Sequence, residues 1–192
     1  MKRIGILGGT FDPPHIGHLV IAEEVRVALK LDEIWFIPTQ EPPHKNKANI
    51  SAENRVEMVK KIIDGNPYFK LNTIEVDRLG KSYTIETLTL LKKKYPDDSF
   101  YFIIGADMVE YLPQWHQINE LIKLVSFVGV KRIGSQLRTP YSITEVDIPY
   151  IEISSTMIRE RIYQGASIKY YLPETVIGYI KEHRLYEERS SN

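Results

Sequence analysis

An apolar run, Lys2-Arg3-Ile4-Gly5-Ile6-Leu7, ends on two adjacent glycines, Gly8-Gly9, and by Leu19 the chain reads as a helix. This passage constrains the fold more than any other. A short apolar run closed by glycines predicts a buried strand, and the pattern Leu19-Val20-Ile21-Ala22-Glu23-Glu24-Val25-Arg26 predicts the start of a helix directly after it. Gly8 and Gly9 allow a sharp turn and present backbone N–H groups without an obstructing Cβ. The connection Thr10-Phe11-Asp12-Pro13-Pro14-His15-Ile16-Gly17-His18 is stiffened by two prolines and sets two imidazoles three residues apart at the helix start. Backbone donors, a helix N-terminus and two histidines in one place suit a polyphosphate.

The alternation continues along the chain. Strands are predicted at Glu33–Pro38, Phe69–Ile74, Ser99–Ile104 and Val125–Val130, with a last, broken one over Val146–Ile148 and Tyr150–Ile153 on either side of Pro149. Helices are predicted from Ser51, a plausible cap, to about Ile63, from Tyr83 to about Lys94, at Asn119–Lys123, at Ser155–Tyr163, and from Pro173 to about Glu182 with proline at the first helical position. Near-continuous apolar strands between helices imply a parallel sheet covered on both faces, with ligands beyond the carboxyl ends of the strands. Gly8, Gly105 and Lys131 fall at such ends and are expected to converge on one crevice. The Pro-, Lys- and Asn-rich stretch Thr39–Ile50 is the candidate mobile loop.

Composition narrows the function classes. Lys plus Arg and Asp plus Glu are each 25, so the basic excess of a nucleic-acid binder is missing. Absence of cysteine removes disulfides, thiolate metal sites and thiol chemistry. The first strand begins at once and no apolar run approaches membrane-spanning length, so the expectation is a cytoplasmic chain with no membrane partner and one domain over 1–192. Two glycine patterns fail as nucleotide cradles. Gly5-Ile6-Leu7-Gly8-Gly9 is not GxGxxG, and Gly80-Lys81-Ser82 lacks the first glycine of a Walker A loop because Glu75 stands there.

The string Gly8 to His18 resembles the GTFDPxHxGH signature of the nucleotidyltransferase superfamily. Ile153-Ser154-Ser155-Thr156-Met157-Ile158-Arg159 resembles its ISSTxIR motif, and Gly105-Ala106-Asp107 followed by Trp115 resembles the GxD…W element of the bacterial nicotinate-nucleotide adenylyltransferases. The implied fold is a single Rossmann-like doubly wound parallel sheet with helices on both faces and a small C-terminal helical part. The implied activity is adenylyl transfer from ATP to nicotinate mononucleotide, with another acceptor (nicotinamide mononucleotide, phosphopantetheine) or a non-catalytic nucleotide sensor as alternatives. The expected partners are those two small molecules, with no nucleic acid; a homodimer is left open. Mg²⁺ is implied as an ion carried with ATP, with no dedicated protein ligands.

Each candidate residue carries a plainer reading beside the functional one. His15 and His18 have metal-ligand spacing but lack companions of suitable spacing, and the resemblance implies that they hold the triphosphate and stabilise the α-phosphate. An imidazole beside a polyphosphate is open to protonation. The hydroxyls at Ser155 and Thr156 are ordinary helix caps, yet with Arg159 one turn on they suit the β- and γ-phosphates. Gly8, Gly9, Thr10 and Phe11 are expected to shape the pocket around acceptor and α-phosphate. Lys45 and Arg132 are candidate phosphate contacts, though a loop lysine and a strand-end arginine are commonly just solvated. Asp107, beyond Gly105, is read as a ribose contact or a helix cap. The resemblance implies that Trp115 stacks on the pyridine ring while Thr84 and the backbone at Tyr111 meet its carboxylate; Thr84 also reads as a helix cap.

Overall fold

The computed structural model describes residues 1–40, 48–78, 80, 83–132 and 134–188. Among them, six strands form one parallel sheet: β1 (Arg3–Gly9), β2 (Glu33–Pro38), β3 (Phe69–Leu71), β4 (Ser99–Gly105), β5 (Ser126–Arg132) and β6 (Thr144–Ile148). Their spatial order is β3-β2-β1-β4-β5-β6. The chain therefore builds outward from β1 in one direction, returns, and builds outward in the other, which is the doubly wound arrangement expected from the alternation.

Alternation along the central strands divides the core in two. Ile4, Ile6, Trp35 and Ile37 face one side with Ile85, Leu88 and Leu91 of α3 (Thr84–Lys94), Val109 of α4 (Ala106–Tyr111) and Leu121 of α5 (Ile118–Leu124). Leu7, Ile34 and Phe36 face the other, with Ala22 and Val25 of α1 (Ile16–Ala28), Met58 and Val59 of α2 (Ala52–Ile63), Ile158 of α6 (Ser155–Tyr163) and Val176, Ile177 and Ile180 of α7 (Glu174–Glu182). Each fully buried aliphatic side chain stabilises the fold by roughly 1.5–3 kcal/mol. Burial on both faces explains why the strands read as continuous apolar runs.

Several boundaries differ from the sequence reading, each for a local reason. Helix α1 begins at Ile16 rather than Leu19, because the His18 imidazole accepts the His15 backbone N–H at 3.1 Å and folds the histidine segment into the first turn. Strand β3 stops at Leu71 instead of Ile74, since Asn72 Oδ1 accepts the Ile74 N–H at 3.1 Å and turns the chain away. Strand β6 starts at Thr144 and ends at Ile148, and residues 150–153 beyond Pro149 are not a strand, consistent with a residue that has no N–H for the ladder. Pro173 is the N-cap of α7, one position before the first helical residue.

Glycine inside β1 has a packing reason. A Cβ on Gly5 would lie 2.5 Å from Ile34 Cδ1, 3.0 Å from Leu31 Cδ1 and 3.3 Å from Ile103 Cδ1, all of them buried. A Cβ on Gly8, at the open end of the same strand, would meet only Phe102 at 3.6 Å. Gly5→Ala is therefore expected to lower stability by ~1–3 kcal/mol from overpacking. Gly8→Ala should stay within about 0.5 kcal/mol of the parent. Urea unfolding of both variants checks the contrast, and equal midpoints would contradict it.

Candidate active site

Sheet order reverses between β1 and β4, and there a cavity of about 320 Å³ opens at the carboxyl ends of the strands. Gly8, Gly9 and Thr10 at the end of β1 form its floor with Gly105 of β4, and His18 and Ile21 of α1 border it. Tyr83 and Thr84 at the start of α3, Met108 of α4, and Trp115 and His116 complete the opposite wall. Of the three strand-end segments expected to meet here, two do. Lys131 lies within β5 and pairs with Glu145 at 2.9 Å and Asp147 at 3.8 Å on the neighbouring strand, so its charge is committed there.

The two histidines have different situations. His18 lines the cavity, whereas His15 is only 7% exposed and sits against it with ring centroids 3.8 Å apart and a tilt of 35°. Because His18 Nδ1 accepts the His15 N–H, a neutral His18 carries its proton on Nε2 and is a donor through that atom. Burial lowers the His15 pKa to about 4, so that ring is neutral near pH 7 without an anion beside it. The opening to protonation expected beside a polyphosphate is therefore opposed at His15 by its burial. A Cβ on Gly17 would lie 3.0 Å from His15 Nδ1, so glycine there makes room for the inner ring.

Helix α6 brings the second motif against the first. Ser155 Oγ donates to the Pro13 carbonyl at 2.8 Å, and Arg159 donates through Nη1 to the Asp12 carbonyl at 2.7 Å and through Nη2 to Thr156 Oγ1 at 3.1 Å. The hydroxyls therefore divide their work. Ser154 caps the helix by accepting the Met157 N–H, Ser155 ties down the histidine loop, and Thr156 orients the guanidinium.

On the other wall, Trp115 stands edge-on to Phe102 and Phe127, with centroids 5.9 and 6.0 Å away. Its indole nitrogen is buried with no hydrogen-bond partner among the described residues. Thr84 is the first residue of α3 and Tyr83 its cap, so the capping alternative for Thr84 is not what the structure shows. Asp107 is an exposed residue in the first turn of α4, whose N-cap is Gly105; a Cβ on Gly105 would lie 2.9 Å from Asp107 Oδ1. Tyr111 ends α4 and is not among the residues lining the cavity. Phe11 is buried behind the glycines with a left-handed φ of 52°, its ring 5.0 Å from His18 and edge-on. Arg132 is the last residue of β5; its side chain and Lys45 lie outside the described part, as do Lys81 and Ser82 of the Walker-like decoy.

Four residues behind the histidine loop escaped the sequence reading as site residues. Asp12, 4% exposed, accepts the Asn49 backbone and side-chain N–H groups on Oδ2 at 2.8 and 2.7 Å and the Tyr186 hydroxyl on Oδ1 at 2.8 Å. Arg55, 1% exposed, donates to the Thr10 carbonyl at 2.8 Å and the Gln40 carbonyl at 3.2 Å. Burial pulls its pKa down, opposed by the Asp12 carboxylate. A signal for Arg55 was available, since it occupies the apolar face of α2 between Ala52 and Val59. Among the described residues, no group of three or more His, Cys, Asp or Glu could hold a metal ion, and no helix is long and apolar enough to cross a membrane.

A cytidylyltransferase-like family model matches residues 6–161. The nicotinate-nucleotide adenylyltransferase of Bacillus subtilis (strain 168) is 53% identical over 188 residues, covering 97% of this chain and all of that protein. A probable nicotinate-nucleotide adenylyltransferase of Oceanobacillus iheyensis is 56% identical over 186 residues, 97% of each chain. Among solved structures, the fold is similar to the Plasmodium falciparum nicotinic acid mononucleotide adenylyltransferase complexed with NaAD, with TM-score 0.82 at 22% identity over 98% of this chain and 99% of that one. With relatives above half identity over 97% of its length, the chain belongs to the nicotinate-nucleotide adenylyltransferase family.

Proposed function

We propose that this chain, as one nucleotidyltransferase domain over residues 1–192 and in the cytoplasm, transfers the adenylyl group of ATP to nicotinate mononucleotide, giving nicotinate adenine dinucleotide and pyrophosphate for NAD biosynthesis. The observation that carries the reading is a single cavity with the glycine floor and His18 on one side and Thr84 and Trp115 on the other.

In this mechanism an acceptor phosphate oxygen attacks the α-phosphorus. The new P–O bond forms as the bond from Pα to the bridging oxygen breaks, and that oxygen leaves on pyrophosphate with the electron pair. The nucleophile is already anionic near neutral pH, so no enzymic base is needed. What the protein supplies is alignment and charge stabilisation. His18 donates through Nε2 to the α-phosphate oxygens, with the inner ring of His15 holding it in place. Gly8, Gly9 and Thr10 let backbone come close to the reacting phosphates, and Phe11 braces that turn from behind. Arg159, with two of its five N–H donors spent on Asp12 and Thr156, has donors left for the β- and γ-phosphates beside the N-terminus of α6. Lys45 and Arg132 join it as phosphate contacts, and Asp107 takes the ribose hydroxyls. Mg²⁺ bound to ATP would neutralise triphosphate charge while keeping mostly water ligands. Trp115 stacks on the pyridine ring and Thr84 donates to its carboxylate, while Tyr111, outside the cavity lining, is left without that role.

A pyrophosphate-release assay with ATP and nicotinate mononucleotide tests the reading, and absence of release would leave a nucleotide-binding module in its place. Preference for nicotinate over nicotinamide mononucleotide in kcat/KM should be at least about a hundredfold. If only donors meet the exocyclic group, both carboxylate oxygens are satisfied but the amide's NH₂ faces another donor, a mismatch of ~3 kcal/mol. Equal efficiencies would point to a dual-specificity pocket.

His18→Ala should lower kcat by roughly two to three orders of magnitude, the scale for one lost transition-state donor, with ATP affinity changed far less. Near-parent turnover would remove His18 from the mechanism. Arg159→Lys keeps the charge but not the planar fork. ATP and pyrophosphate binding should weaken, which calorimetry reads directly, and unchanged binding would move the pyrophosphate site elsewhere.

A further inference from the structure

We propose that Tyr186, in the turn after α7, is a positioning residue for adenylyl transfer: its buried hydroxyl, bonded to Asp12 Oδ1, holds the loop that presents His15 and His18. The two residues are 174 positions apart, and their 2.8 Å contact is buried. Tyr186 is 8% exposed and is not among the residues lining the cavity, so it acts through Asp12 rather than on substrate.

The geometry gives this bond more to do than fill space. Leu185 and Tyr186 pack in the same core cluster as Phe11, Val176, Ile177 and Ile180, an environment that an apolar side chain would satisfy. The tyrosine adds a donor aimed at a carboxylate that has almost no water. Burial, aided by Asp12, pushes the phenol pKa far up, so the hydroxyl remains a donor at any working pH. Asp12 is also where separate parts of the chain meet. Its Oδ2 takes Asn49, its backbone carbonyl takes Arg159, and its Oδ1 takes Tyr186. Removing the phenol oxygen leaves one carboxylate oxygen buried with a donor missing. The carboxylate then turns or draws in water, and Pro13 through His18 shift with it. Displacements of well under an ångström suffice, because transition-state donors must keep their reach and direction. Thr84 and Trp115 stand on α3 and the segment after α4, across the cavity from this loop, so acceptor binding should not follow.

Tyr186→Phe removes only the oxygen. The expected result is a kcat about tenfold lower per folded molecule, with KM for nicotinate mononucleotide within twofold of the parent, and pyrophosphate affinity by calorimetry several-fold weaker because Arg159 is bonded to Asp12. In an Asp12→Asn background the same substitution should cause no further loss, since the partner it acts through is already altered. A kcat within twofold of the parent in folded Y186F overturns the proposal, as does a full additional loss in the Asp12→Asn background. Should Y186F not fold, Asn49→Ser, which takes a donor from the other carboxylate oxygen, must give the same loss of kcat at constant acceptor KM; unchanged kcat there overturns it equally. The inference rests on the adenylyl-transfer reading for its kinetic assay. The parent enzyme run alongside tests that reading alone. If the parent forms no dinucleotide, the decision falls to pyrophosphate affinity, where equal values for parent and Y186F overturn the role of Tyr186.

Discussion

A carboxylate with almost no water must be met by donors, and at Asp12 the donors come from far apart in the chain. Asn49 follows the segment after β2, and Tyr186 follows the last helix. The backbone around that carboxylate is gripped as well, by Arg55 on the Thr10 carbonyl, Arg159 on the Asp12 carbonyl and Ser155 on the Pro13 carbonyl. A loop of this kind, with a left-handed Phe11, keeps its shape only where the surroundings over-determine it. Histidine placement at the cavity is therefore a property of the whole tertiary structure rather than of the signature itself. Removing one buried donor costs the desolvation of its partner, about 1–3 kcal/mol, which is a large fraction of what holds such a loop.

The opposite wall works by different physics. Trp115 is set by edge contacts to Phe102 and Phe127, and Thr84 by its place at the start of α3. That helix is anchored in turn by Thr87, whose buried hydroxyl donates to Glu75 at 2.8 Å. One side of the cavity is thus fixed mainly by directional polar bonds, and the other by aromatic packing together with one buried hydrogen bond. The division suits the two substrates, since a triphosphate needs aimed donors whereas a flat ring needs a face and a few polar groups at its edge. Both walls meet because β1 and β4 are neighbours at the reversal of the sheet order, a consequence of topology and not of any local motif.

Much of this was legible in the sequence where function depends on local pattern. The strand, the paired glycines and the histidines at a helix start lie within one short stretch, and the hydroxyls with Arg159 lie within one turn of another. Periodicity gave the strands their buried faces, and it went astray where a side chain intervened, as Asn72 does by turning β3 early. What stayed hidden was the support. Asp12 was visible inside the signature, but an acidic residue in a loop has no readable partner until the chain is folded. Arg55 stood out only as a cation on an apolar helix face. Tyr186 gave no signal, because nothing local distinguishes a C-terminal tyrosine that packs from one that also donates to a residue near the other end of the chain.

The paired imidazoles show how this scaffold governs charge. His15 and His18 stack at 3.8 Å, and two unit charges near that distance repel by about 4 kcal/mol at an effective dielectric of 20. Burial alone already holds His15 near a pKa of about 4. His15 therefore stays neutral as the packing partner of His18. The backbone N–H of His15 fixes His18 Nδ1 as the acceptor, which leaves the proton of the neutral ring on Nε2. A single hydrogen bond within one helical turn thus sets which nitrogen of His18 is the donor.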